Sequence, residues 1–124
     1  MAYACYEASL YIRWELTIQF PDNPEYLYQY SVTLCKVARI HEALKSNSVA
    51  LEYYKDALKI RRMLINKYPQ SSDYLYGYST SLEKVARIYQ IEKNVKAALP
   101  LYMQAHHNHK TVNRTVSRQS WISS

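Results

Sequence analysis

The 124-residue sequence predicts an all-α fold of about five helices arranged as antiparallel helical hairpins. Three observations predict it: glycine is almost absent, apolar residues recur at intervals of three and four, and a 15-residue string returns 48 positions later. A single Gly and 4 Pro leave almost nothing from which to build tight β-hairpins, Gly-rich phosphate loops or dinucleotide fingerprints. A hydrophobic content of 48 % excludes wholesale disorder, and the length suits one compact domain, 1–124, around one core. That core is rich in phenols, with 14 Tyr against 1 Phe, so large buried rings arrive with hydroxyls that need partners.

The repeat carries most of the information. Tyr26 to Ile40 (YLYQYSVTLCKVARI) returns as Tyr74 to Ile88 (YLYGYSTSLEKVARI), with 11 identities in 15 positions. From Pro21/Pro69 to Ile65/Asn113 the same offset gives 17 identities in 45 pairs, where unrelated residues would give about 3. Residues 2–21 laid on 50–69 match at Ala2, Tyr6, Leu10, Ile12, Arg13, Leu16 and Pro21, so the chain is read as opening partway through a unit. The organisation expected is a leading half unit (2–20), two full units (21–68 and 69–113) and a polar basic tail (114–124).

Each element follows from local chemistry. In the first full unit Asp22-Asn23-Pro24-Glu25 supplies a cap, a proline suited to the first turn and an acid near the positive helix end. Leu27, Tyr30, Ser31, Leu34, Val37, Ala38 and His41 then form one helical stripe. After Lys45-Ser46-Asn47-Ser48 a second helix carries Ala50, Leu51, Tyr54, Ala57, Leu58 and Leu64 on one side and ends before Pro69. Ser71-Ser72-Asp73 starts the next unit, whose stripe is Leu75, Tyr78, Ser79, Leu82, Val85, Ala86 and Tyr89. Ser31 and Ala38 on one helix, and Ala50 and Ala57 on the other, are small enough for close axial approach. Pro100 predicts a kink or a late start in the last helix. Thr111 to Ser124 is expected to fray, with Trp121 and Ile122 able to dock back.

These patterns resemble the tetratricopeptide repeat (TPR) family. Leu34, Val37, Ala38, His41 and Leu82, Val85, Ala86, Tyr89 follow the family's first-helix order of large, large, small and aromatic. Ala50, Tyr54, Ala57 and Ala98, Tyr102, Ala105 follow its second-helix order of small, aromatic and small, with Ala2, Tyr6, Ser9 as a partial copy. The resemblance covers nearly the whole chain and implies that the hairpins stack as a short right-handed TPR-like superhelix. It departs in period, since 48 exceeds the usual 34 by 14 residues, or about four helical turns. The usual closing proline is delayed to Pro21 and Pro69, and His41 stands once for the expected aromatic.

The resemblance implies a groove lined by first-helix residues off the packing stripe: Tyr28, Val32, Cys35, Arg39 and Glu42, then Tyr76, Thr80, Glu83, Arg87 and Gln90, with Lys36 and Lys84 flanking. The partner-binding candidates are Tyr28, Lys36, Arg39, Tyr76, Lys84 and Arg87, a tyrosine and a cation pair presented twice, suited to an extended acidic peptide. The asparagines that accompany such cations in the family's carboxylate-binding members are missing, so that ligand is not carried over. A competing reading has the four cations recurring as the solvated face of a duplicated unit, with Arg39 pairing Glu42 or Glu83. Tyr30 and Tyr78 read as core.

Charge and composition bound the rest. Residues 93–124 hold Lys93, Lys96, Lys110, Arg114 and Arg118 without an acid, so +5 of the net +6 lies there. Without an aromatic stacking platform, nucleic acid is not an expected partner. Cys5 and Cys35 read as reduced thiols, and no leader or apolar span is recognised, so a cytoplasmic protein without membrane attachment is expected. His106, His107 and His109 cluster with no carboxylate beside them in sequence, in a segment that reads as the solvated end of the stack. No catalytic constellation, metal site or cofactor is expected. The leading function is therefore a non-catalytic protein–protein interaction scaffold that binds a peptide or helix of another protein on its concave face. The alternative is a structural module that forms homo-oligomers through the unpaired N-terminal helix.

Overall fold

The computed structural model describes the backbone of residues 2–123 and the side chains of residues 4–113. Five helices occupy it: α1 (Ala2–Gln19), α2 (Pro24–Ala43), α3 (Asn47–Lys67), α4 (Ser72–Ile91) and α5 (Val95–Ser123). There is no strand among the described residues. The chain divides into two compact units, Met1–Leu64 and Ile65–Ser124, with the division inside α3.

The helix starts use the anticipated chemistry. Asn23 caps α2, its Oδ1 accepting from the amides of Glu25 (3.0 Å) and Tyr26 (3.2 Å), with Pro24 in the first turn. Ser71 caps α4 by accepting from the Tyr74 amide at 3.2 Å. An aromatic residue three before each cap packs on a tyrosine three after it: Phe20 on Tyr26 and Tyr68 on Tyr74, with ring centroids 5.6 and 5.9 Å apart. Residues 20, 23 and 26 thus recur at 68, 71 and 74, so the entry turn is duplicated along with the helix it starts.

The helix ends hold a feature that composition alone disguises. Lys45 and Lys93, one repeat apart, adopt left-handed backbone with φ of 63° and 64°. After α2, the Ser46 amide reaches the His41 carbonyl (2.8 Å) and the Lys45 amide that of Glu42 (3.0 Å); after α4, Asn94 bonds Tyr89 (2.7 Å) and Lys93 bonds Gln90 (3.0 Å). Both are Schellman closures, normally made with glycine at the left-handed position. Lysine fills it here, and Gly77 instead lies buried inside α4.

In the first unit α2 and α3 pair antiparallel: along α3 from Tyr54 to Arg61, the partners on α2 retreat from Glu42 to Ser31 and Tyr28. Val37, Ala38, Ala50, Tyr54 and Ala57 are wholly buried, so the small residues do stand where the ring of Tyr54 fills in beside them. In the second unit Tyr102 meets Gln90 while His109 meets Tyr76 and Glu83, again antiparallel, and Leu82, Ala86, Ile88 and Ala105 are wholly buried.

One expectation about α5 narrows and another needs correction. The helix does not start late: Asn94 caps it through Oδ1 to the Ala97 amide (3.3 Å), and Pro100 sits inside the second turn. The proline removes one donor there, which would otherwise serve the Lys96 carbonyl. The segment around His109 is not simply a solvated end, because Ala105 and Val112 are buried on the face that His109 shares. The helical backbone continues through Ser123, while any docking of Trp121 and Ile122 lies outside the described side chains.

Candidate partner-binding face

Lys36 and Arg39 stand three apart on α2, so they rise on the same side of the helix, and both are exposed. With Ile40 and Ala43 of the next turn and Tyr6 of α1, they line an open cleft of about 310 Å³. It joins two cations, an apolar floor and a tyrosine. The first unit thereby brings together two of its three predicted site residues and adds Tyr6, Ile40 and Ala43. A guanidinium fork beside an ammonium can take a carboxylate by charge-assisted hydrogen bonds, while the floor accepts an aliphatic stem.

Tyr28 lies elsewhere. It precedes Lys36 by eight residues, about 12 Å of helical rise, and the Arg61 guanidinium stands 5.2 Å above its ring centroid. Arg61 is only 6 % exposed, a position that a cation tolerates only with partners. Its Nε donates to the Ser31 hydroxyl at 3.0 Å, and that hydroxyl donates onward to the Tyr28 carbonyl at 2.6 Å. The half-buried Tyr28 therefore helps hold a buried arginine across the hairpin.

The second unit reworks this arrangement with different atoms. Position 109 is the repeat equivalent of 61, and His109 meets the Tyr76 ring edge-on at 5.5 Å while its Nε2 lies 2.7 Å from Glu83 Oε1. The carboxylate that sequence neighbours do not supply to the histidine cluster thus comes from α4. Tyr76 remains 56 % exposed, and Lys84 and Arg87 are half-buried. Among the described residues no group of three or more His, Cys, Asp or Glu is placed to hold a metal ion.

Several of the other first-helix residues serve the hairpins. Glu42 accepts from the buried Tyr54 phenol, Gln90 from Tyr102 and Glu83 is engaged by His109. Thr80 donates to the Tyr76 carbonyl at 3.0 Å. Arg61 and His109 escaped the sequence reading as functional or structural anchors. A signal was present, since positions 13, 61 and 109 are basic or imidazole in every copy of the unit.

No family model, curated protein or solved structure matches the chain. No described helix is long and apolar enough to cross a membrane.

Proposed function

We propose that the chain is a cytoplasmic, non-catalytic interaction scaffold built of long TPR-type hairpins, whose first helices hold an acidic segment of a partner protein. The observation that carries this reading is the cleft lined by Lys36, Arg39, Ile40, Ala43 and Tyr6. Two neighbouring cations beside apolar side chains suit an acidic residue followed by an aliphatic or aromatic one, and the same cation spacing recurs at Lys84 and Arg87. Affinity capture from nuclease-treated lysate, with the parent chain beside Lys36→Glu/Arg39→Glu, tests it. A protein retained by the parent and released by the still-helical variant supports the scaffold reading; equal capture by both removes this face from it.

A second reading, self-association, is favoured by a different face of α1. Cys5, Ala8, Ser9, Ile12, Arg13 and Leu16 line an open, mostly apolar cleft of about 470 Å³. Ser9, Arg13 and Leu16 are the repeat equivalents of Ala57, Arg61 and Leu64, which α3 buries. A solution mass of two chains across a hundredfold dilution supports this reading, and a monomer at every concentration removes it.

A further inference from the structure

Glu7, Tyr11 and Trp14 follow one another along α1 at intervals of four and three, so they share a face opposite that of Ile12, Arg13 and Leu16. Together with Leu10 and Tyr30 of α2 they line a separate open cleft of about 280 Å³. Tyr11 and Trp14 are exposed, 62 % and 42 %, and their ring centroids lie 6.2 Å apart with planes tilted by 40°. Large exposed rings set side by side over a concavity are a recognition surface more than a packing one.

Negative charge converges on the same place. Glu7 lines the cleft, and its Oε1 is buried with no hydrogen-bond partner among the described residues. The Tyr11 phenol is held above its ordinary range by a hydrogen bond to Glu15. Burial first, then the charges of Asp56 and of the Tyr53 phenolate, push the Tyr30 phenol up, and burial followed by Glu7 and Asp56 does the same to Tyr53. A buried carboxylate oxygen without a donor is costly, and a positive guest would relieve it.

The repeat shows that this chemistry is not a requirement of the helix. At the equivalent positions α3 carries Lys55, Lys59 and Arg62 in place of Glu7, Tyr11 and Trp14. With Glu7, Glu15 and Arg13, α1 has a net charge of −1, whereas α3 has five cations against two acids, +3. The acidic and aromatic face belongs to α1 alone among the three copies.

We propose that this cleft binds an organic cation, an alkylammonium or guanidinium group, over the faces of Trp14 and Tyr11 with Glu7 as its counter-charge. Ring faces attract a soft, weakly hydrated cation, and the carboxylate fixes its position. A hard metal ion fits poorly because the cleft wall offers a single carboxylate and no ring of oxygen ligands. The same chemistry is carried by a free quaternary amine and by a lysine or arginine side chain of a basic partner.

Fluorescence titration of the full chain bearing Trp121→Phe, which leaves Trp14 as the lone indole, tests the proposal. The probes are choline, its neutral isostere 3,3-dimethylbutan-1-ol, and capped Gly-Lys-Gly and Gly-Arg-Gly. The expected result is a saturable change with at least one cation, none with the isostere, and binding weakened about tenfold by Glu7→Gln. Tighter choline binding assigns the site to a free cation, and tighter tripeptide binding assigns it to a basic protein segment. Should Glu7→Gln lower the helical circular dichroism, Trp14→Leu followed by calorimetry carries the same expectation. Saturation by the neutral isostere, no saturation by any cation, or unchanged affinity in a folded variant would overturn the proposal. Lys36→Glu/Arg39→Glu is expected to leave cation binding intact, which separates this site from the acidic-peptide cleft.

Discussion

The Tyr54 phenol of α3 donates to Glu42 of α2 at 2.5 Å, and one repeat later the Tyr102 phenol donates to Gln90 at 2.8 Å. Tyr54 is wholly buried and its acceptor is charged, whereas the second bond joins neutral groups at an exposed site. Tyr54→Phe is therefore expected to cost about 2 kcal/mol and Tyr102→Phe about 0.5 to 1 kcal/mol. Urea denaturation of the two variants checks the order; equal costs would mean that neither burial nor charge governs this lock.

The left-handed lysines point the other way. A non-glycine residue in that conformation costs about 1 kcal/mol, which glycine does not incur. Lys45→Gly and Lys93→Gly are each expected to stabilise by roughly that amount, less what the more flexible unfolded chain takes back. Thermal melts that show lower midpoints for both would refute the Schellman closure as the source of strain.

Ala38 and Ala86 are wholly buried at repeat-equivalent positions of α2 and α4. Leucine at either site has no free volume to occupy and is expected to destabilise by about 1 to 3 kcal/mol. Calorimetric scans of Ala38→Leu and Ala86→Leu read this directly, and unchanged transitions would place these residues away from close helix packing.

Alkaline pH should loosen the first unit. Burial, then Asp56, raises the Tyr30 phenol, and burial, then Glu7, raises that of Tyr53, so both bind their protons more tightly folded than unfolded. Their stabilising contribution is complete below about pH 10, the ordinary phenol value, and is lost as pH climbs through the raised folded values. Absorbance titration near 295 nm is expected to show a late phenolate component that Asp56→Asn moves to lower pH. A titration curve insensitive to Asp56→Asn would show that the carboxylate does not act on these rings.

Much of this architecture was legible in the sequence because the repeat states it twice. The stretches Asp22-Asn23-Pro24-Glu25 and Ser71-Ser72-Asp73 announced the caps, Pro69 the end of α3, and the three-four spacing of Leu34, Val37 and Ala38 the buried stripe. What escaped were relationships between positions that local pattern does not connect. Arg61 looks like a surface cation until Ser31, 30 residues earlier, is found against its Nε. His109 reads as part of a polar cluster until Glu83 and Tyr76 of α4 arrive beside it. Of the six candidate site residues, Lys36 and Arg39 meet at one cleft because their spacing of three keeps them on one face. Tyr28 is drawn to Arg61 instead, and its role depended on a partner from the other helix.

Recognition of acidic protein segments is the role proposed for the Lys36–Arg39 cleft. Its most direct measurement is the dissociation constant of peptides selected from a random displayed library on the parent chain, compared with that on Lys36→Glu/Arg39→Glu at matched ionic strength. The expected result is acidic peptides that bind at least about tenfold more weakly to a variant of unchanged helicity, with affinity falling as salt rises. Selected peptides without acidic residues, or with equal affinity for both proteins, would contradict it.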